Sequence, residues 1–298
     1  MIDERGFGKA VVKLGMNMLL WATDVSGPEY RVVFELLRDT GFDGVEIPIF
    51  DSSPASLPRY ENLARQLSEL GLEPLGVAAR LPEDSPISPD PAVRERGLRA
   101  TNAAVDVCAA LGARTICGPL GAPLGYLSGT GPTHDERMRA VESLRAAAEH
   151  AQTRDVTIAV EYLNRFEMYL INCAADAADL VREVDHPNCR LMYDTYHAHI
   201  EEKDPRQALQ ACRDVLVHVH AAENDRGTPG TGQVAWDATF AALHEIGYDD
   251  WIVIEAFSDT VADLAPATRS WRRTFDTEEQ LARDGARFVR ERWSLSAP

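Results

Sequence analysis

The stretch TIAVEYLNRFE, Thr157 to Glu167, sets the frame for the whole chain. Thr157 to Val160 is an apolar, β-branched run of the kind that forms a buried strand. It leads straight into Glu161, then into the polar turn Asn164–Arg165 and a second acid, Glu167. A β-run that ends in a carboxylate holds a charge at the rim of a sheet, where a cation or a substrate can reach it. Three later runs end the same way: Leu191–Met192–Tyr193 in Asp194, Leu216 to Val219 in His220, and Trp251 to Ile254 in Glu255. One polar strand end is ordinary. Four on successive strands, about 26 to 35 residues apart, form a pattern.

Working outward, short apolar runs alternate with amphipathic segments from Leu14 onward, the signature of a βα repeat. The expected strands are Leu14–Leu20, Gly44–Ile49 with Glu46 inside it, Leu75–Ala79, Thr115–Gly118, Thr157–Glu161, Cys189–Asp194, Leu216–His220 and Trp251–Glu255. Helices are expected over Tyr30–Thr40, Arg59–Leu70, Asp90 to Leu111, Met138–Gln152, Cys173–Val184, from Asp204–Pro205, over Trp236–Ile246, and at the C-terminus over Glu278–Trp293. Eight alternations with no intervening linker predict an α/β fold, a single-domain (β/α)8 TIM barrel over residues 13–298, preceded by an extension of residues 1–12. An open doubly wound sheet is the second choice, weakened because no GxGxxG follows the first strand. The glycine-rich stretch Gly118 to Asp135, with its loop at 119–134, is either a flexible surface connection or a lid over a site.

The chain has 298 residues, 45% of them hydrophobic, which suffices for one large core. Its 30 basic against 47 acidic residues give a net charge of −17, which disfavours nucleic acid and anionic membranes as partners. No apolar run reaches about 18 residues, and MIDERGFGKAVVKLG lacks a signal-peptide core, so the expected location is cytoplasmic. The 5 cysteines form no CxxC pair and read as reduced, buried thiols.

In a βα barrel the carboxyl ends of all strands open on one face, which carries the chemistry. Glu161, Asp194, His220 and Glu255 therefore converge. Three crowded carboxylates repel one another unless a cation sits among them. Oxygen ligands with one imidazole and no thiolate suit Mn²⁺, Mg²⁺ or Co²⁺ better than a structural zinc. Glu167, His197 and Arg226 follow the same strand ends on βα loops that can lean over the metal; for Arg226 a surface pair with Glu223 or Asp225 is an equal alternative. His218, two residues before His220, points inward and reads as a hydrogen-bonded core residue, and His199 as exposed.

GFDGVEIP, VEYLNRFE, YDTYHAHIEE, HVHAAENDRGTPGTG and VIEAFS resemble the motifs of the D-tagatose 3-epimerase family, which includes the D-allulose and L-ribulose 3-epimerases, within the xylose-isomerase-like barrel superfamily. The resemblance runs from about Leu14 to about Trp293. It implies Mn²⁺ or Co²⁺ held by Glu161, Asp194, His220 and Glu255, with Glu167, His197 and Arg226 on the C1 to C3 oxygens of a ketose. The implied reaction is metal-dependent epimerisation of a free ketose at C3 through an enediolate, with Glu161 and Glu255 as the two catalytic acid–base groups. Two departures stand out: relatives commonly carry Gly–Glu where this chain has Ala222–Glu223, and some close a Trp over the substrate from the loop after strand four, where this chain offers Tyr126. The same site could serve an aldose–ketose or keto-inositol isomerase or a 3-keto-glycoside lyase. A DNA-repair endonuclease is disfavoured by the acidity, and a non-catalytic sugar sensor by the intact acid pair. A homo-oligomer, dimer or tetramer, is expected, with Trp271, Phe275 and Trp293 as a candidate contact patch.

Overall fold

In the computed structural model, which describes residues 12–297, eight parallel strands close into a barrel in the order β1 to β8, with β8 pairing back onto β1. The strands are β1 Lys13–Asn17, β2 Gly44–Pro48, β3 Glu73–Val77, β4 Thr115–Gly118, β5 Thr157–Glu161, β6 Cys189–Asp194, β7 Leu216–Ala221 and β8 Trp251–Ile254. The predicted extension falls almost wholly on residues 1–11, outside those described. Around the barrel run α1 Arg31–Thr40, α2 Leu57–Leu70, α3 Pro91–Leu111, α4 His134–Gln152, α5 Ala174–Val184, α6 Thr195–Glu201, α7 Pro205–Cys212, α8 Trp236–Glu245, the short α9 Ala265–Thr268 and α10 Glu278–Leu295.

The helix limits follow local chemistry. Asp90 caps α3 by accepting from the Ala92 N–H, and Pro91 sits in the first turn, where its missing donor costs nothing. Helix α4 starts four residues before the predicted Met138, because Thr133 and Glu136 form a reciprocal capping box. Strand one is shorter than predicted. Asn17 ends β1, paired with Glu46, and its side chain accepts from the Leu19 N–H, which turns Met18–Leu20 into a single 3₁₀ turn. Helix α6 has no counterpart among the predicted elements, and it matters for the site.

The barrel interior is layered. At its amino-terminal floor Leu75, Trp251 and Val253 pack together. The floor requires Gly44, where a Cβ would lie 2.6 Å from the Trp251 ring and 2.3 Å from the Glu73 carbonyl. Between strands and helices lies the main apolar core, from Leu14 and Met16 through Tyr162 and Tyr193 to Trp293. Phe275 and Trp293 belong to that core, and Trp293 packs edge-on to Phe240, so of the predicted contact patch Trp271 alone is exposed, at 69%.

The stretch after β4 is anchored rather than loose. Pro119 to Pro123 is buried, the Leu124 N–H donates to the Arg80 carbonyl at 2.8 Å, and the Gly125 N–H donates to the Glu167 carbonyl at 2.8 Å. Gly118 begins it at φ +122°, where a Cβ would stand 2.1 Å from the Ala78 carbonyl oxygen. Tyr126 then sits on the barrel rim, edge-on to Tyr169.

Candidate active site at the carboxyl ends of the strands

The polar residues at the mouth are placed by strand register. Between Leu191 and Met192 the β6–β7 pairing slips by one residue, which sets His218 opposite Met192 and His220 opposite Asp194. Such an irregularity re-aims the side chains that follow it. Both histidines then point inward and are fully buried.

Asp194 serves two purposes. It closes β6, and its Oδ1 accepts from the Tyr196 and His197 N–H groups, so it caps α6. That cap turns the chain inward and delivers His197, 1% exposed, into the site. Thr195 fastens the turn to the end of β7, since its hydroxyl donates to the Ala222 carbonyl and accepts from the Ala222 N–H.

The predicted ligands come together in two overlapping groups that share Asp194. Asp194, His220 and Glu255 place one donor atom each within 4.8 Å of one another, and so do Glu161, Asp194 and His197. His220 Nδ1 lies 3.3 Å from Glu255 Oε1 and 3.8 Å from Asp194 Oδ2. It is buried and makes no hydrogen bond. Across the ring, Nε2 meets Glu46 Oε1 at 3.0 Å. A neutral imidazole that donates from Nε2 aims its Nδ1 lone pair at carboxylate oxygens, an arrangement that repels unless a cation lies between. The residues present therefore fit a divalent cation with oxygen and imidazole donors.

The electrostatics agree. Burial raises the Glu161 carboxyl well above its usual range, and the nearby charges of Glu255 and Asp194 add to the effect. Burial pulls the other way at His220, but the Glu46 and Glu255 charges outweigh it and hold the imidazole pKa well above normal. The crowding of acids that draws a proton to this ring also draws a cation. At Asp194 burial opposes ionisation, yet the Arg226 charge keeps the carboxyl well below its usual range. His197 is pushed down to about 4, chiefly by burial, so it is a neutral ring at neutral pH. Its Nδ1 accepts from the Asn164 N–H at 3.0 Å and lies 2.9 Å from Asn164 Nδ2. Nε2 lies 3.1 Å from Arg226 Nη2 and faces Glu161 Oε1 at 3.7 Å.

Arg226 does not form the surface pair with Glu223 or Asp225 that the sequence left open. It is 8% exposed, and its Nη1 donates to Asp194 Oδ2 at 3.0 Å and to Glu255 Oε2. The guanidinium lies 3.8 Å from the Tyr196 ring centroid and 4.8 Å from that of Phe257. Its backbone φ is +59°, a conformation that costs a non-glycine residue energy and persists where surroundings enforce it. Glu167 is half-buried at the rim, where its Oε1 accepts from Asn164 Nδ2 at 2.8 Å. His199 is exposed and His218 is buried in the core, as predicted, but the expected hydrogen bond of His218 is not made: Nε2 lies 2.9 Å from Glu46 Oε2 without hydrogen-bond geometry, and Nδ1 has no partner.

Three residues of this mouth were not singled out from the sequence. Asn17 donates from Nδ2 to Glu46 Oε1 at 2.8 Å and to Glu255 Oε1 at 3.2 Å. Glu46 is fully buried, and against the pull of burial His220 and His218 hold its carboxyl well below the usual range. Glu223 accepts from the N–H groups of Asn224, Gly230, Gln233 and Val234 and from Trp236 Nε1, so one carboxylate organises the loop that carries Arg226. An acid inside the buried run GVEIP was the available signal for Glu46.

A closed eight-stranded barrel with an acidic, imidazole-bearing mouth defines a class, and the chain belongs to the family described as xylose isomerase-like TIM barrel, which it matches over residues 34–292. It is 34% identical over 289 residues to a protein of Synechocystis sp. named "Probable ketose 3-epimerase", covering 96% of this chain and 98% of that one. It is 32% identical over 282 residues to the L-ribulose 3-epimerase of Mesorhizobium japonicum, covering 94% and 93%. The crystal structure of D-allulose 3-epimerase from Methylomonas sp. in complex with D-allulose superposes with a TM-score of 0.88 at 28% identity, covering 96% of this chain and 98% of that chain. Among the described residues no helix is long and apolar enough to cross a membrane.

Proposed function

We propose that the protein epimerises a free ketose at C3 through an enediolate, with Mn²⁺, or Co²⁺ or Mg²⁺ in its place, held by Glu161, Asp194, His220 and Glu255. The observation that carries this reading is the unpartnered, buried Nδ1 of His220 facing the Asp194 and Glu255 carboxylates. The names of the relatives support the reaction and the substrate class. When bound, the cation supplies Lewis-acid polarisation of the sugar carbonyl.

The chain's own residues supply the rest. Inverting C3 requires a proton to leave one face of the carbon and another to arrive on the opposite face. Glu161 closes β5 and Glu255 follows β8, so the two carboxyls reach the site from well-separated strands. One takes the C3 proton, and the other, protonated, delivers one to the far face. His197 and Arg226 hold the oxyanion side, where Arg226 stabilises developing negative charge, and Glu167 orients a hydroxyl at the rim. Tyr126, beside Glu167, is positioned to cover the sugar's outer end. The proposal extends to a cytoplasmic homo-oligomer, dimer or tetramer; Trp271 is an exposed aromatic for such an assembly to cover.

Incubation with Mn²⁺ and a panel of ketoses in D₂O tests the assignment. Deuterium at C3 together with a C3-epimeric ketose is the expected result. Deuterium at C1 or C2 with an aldose product would make the protein an isomerase instead.

A further inference from the structure

We infer that Glu46, on β2 and outside the proposed ligand set, is a positioning residue that fixes the tautomer and ring orientation of His220 and thereby sets the affinity of the metal centre. The inference rests on the metal site proposed above.

Glu46 is 0% exposed, and the groups around it share one character. Asn17 Nδ2 donates to Oε1 at 2.8 Å, and the Cys117 thiol donates to Oε2 at 3.0 Å. His218 Nε2 lies 2.9 Å from Oε2, and His220 Nε2 lies 3.0 Å from Oε1 and 3.3 Å from Oε2. An ionised carboxylate only accepts, so Asn17, Cys117 and His220, which hydrogen-bond to it, must each present a hydrogen. His220 Nε2 therefore bears the ring hydrogen, which frees the Nδ1 lone pair for the cation side. A carboxylate behind a metal-ligating histidine orients the ring and raises its basicity in this way. The same side chain reaches the opposite wall of the site, because Asn17 bridges Glu46 Oε1 to Glu255 Oε1.

Glu46, Cys117, His218 and His220 are close enough together to be considered as a second metal cage, with donor atoms within 4.8 Å of one another. The hydrogen-bond pattern speaks for the simpler arrangement. The Cys117 thiol, the Asn17 amide and the His220 imidazole point hydrogens at one carboxylate, which satisfies its buried charge, and the His218 contact at 2.9 Å adds to that without a hydrogen bond.

Glutamine at this position is nearly isosteric but can turn an amide N–H₂ toward His220 Nε2, which would force the ring hydrogen onto Nδ1. The test titrates metal-stripped protein with Mn²⁺ by calorimetry for the wild type, Glu46→Gln and Cys117→Ala. Glu46→Gln is expected to raise the Kd by roughly tenfold to a hundredfold. Cys117→Ala, which removes a different donor from the same carboxylate, is expected to leave the Kd unchanged. Equal Kd values for Glu46→Gln and wild type overturn the inference, as does a Cys117→Ala variant that weakens binding as much as Glu46→Gln. Should Glu46→Gln fail to fold, ¹⁵N-histidine spectra of the wild type with saturating Mg²⁺, a diamagnetic ion, decide the matter. A hydrogen on His220 Nε2 supports the inference and one on Nδ1 overturns it. Wild type that takes up no Mn²⁺ overturns the metal site itself, an outcome distinct from a wild type that binds Mn²⁺ as well as Glu46→Gln does.

Discussion

Replacing Glu161 or Glu255 with glutamine is expected to lower kcat on a ketose substrate by about a thousandfold or more, measured with the metal content of each variant verified. General acid–base groups contribute roughly 10² to 10⁴ each, and C3 inversion needs both a donor and an acceptor in every turnover. Glutamine keeps the shape and the oxygen of the carboxyl but can neither take nor deliver the C3 proton. The two losses should not multiply in the double variant, because removing either partner already breaks the relay. Full activity in either single variant, with metal bound, would remove two-carboxylate catalysis from the account.

The second large effect lies outside the reacting groups. Glu223→Ala is expected to destabilise the protein by about 3 kcal/mol in equilibrium urea unfolding, since hydrogen bonds to a charged group contribute roughly 1.5–3 kcal/mol and orphaned donors add their own penalty. The carboxylate accepts from four backbone N–H groups and the Trp236 indole, and it is 0% exposed. Burial opposes its ionisation, yet the Trp236 indole and the backbone donors hold its pKa below normal. Losing it should also lower kcat/KM. Arg226 is held at φ +59° within the loop that the Glu223 carboxylate closes onto Gly230, Gln233 and Val234. Unchanged stability would show that the loop is set by its other contacts.

Much of the barrel is legible because parallel strands buried on both faces appear as continuous apolar runs with sharp ends. Thr115–Gly118, Thr157–Glu161 and Cys189–Asp194 can be read to the residue for this reason. The polar residue that ends such a run is visible for the same reason, which makes Glu161, Asp194, His220 and Glu255 readable as a set. Strand one reads too long, since Met18–Leu20 continues its apolar run and only the Asn17 cap converts it to a turn. Helix α6 escapes because DTYHAHIE is short and carries no apolar stripe; its start depends on Asp194, a residue already assigned to the metal. Asn17 ends a strand, where the apolar run gives no warning of its role; Glu46 shows as an acid inside GVEIP, but local sequence does not display the two histidines it faces. Glu223 is visible only as the neighbour of Ala222, and its five donors come from residues up to Trp236, a closure that local sequence does not display.

Crystals grown with Mn²⁺ and measured at an energy that reports its anomalous scattering test the central claim most directly. One strong peak within about 2.5 Å of Glu161, Asp194, His220 Nδ1 and Glu255 together is the predicted result. A mouth without a peak, or a peak displaced into the Glu46, Cys117 and His218 cluster, would contradict it.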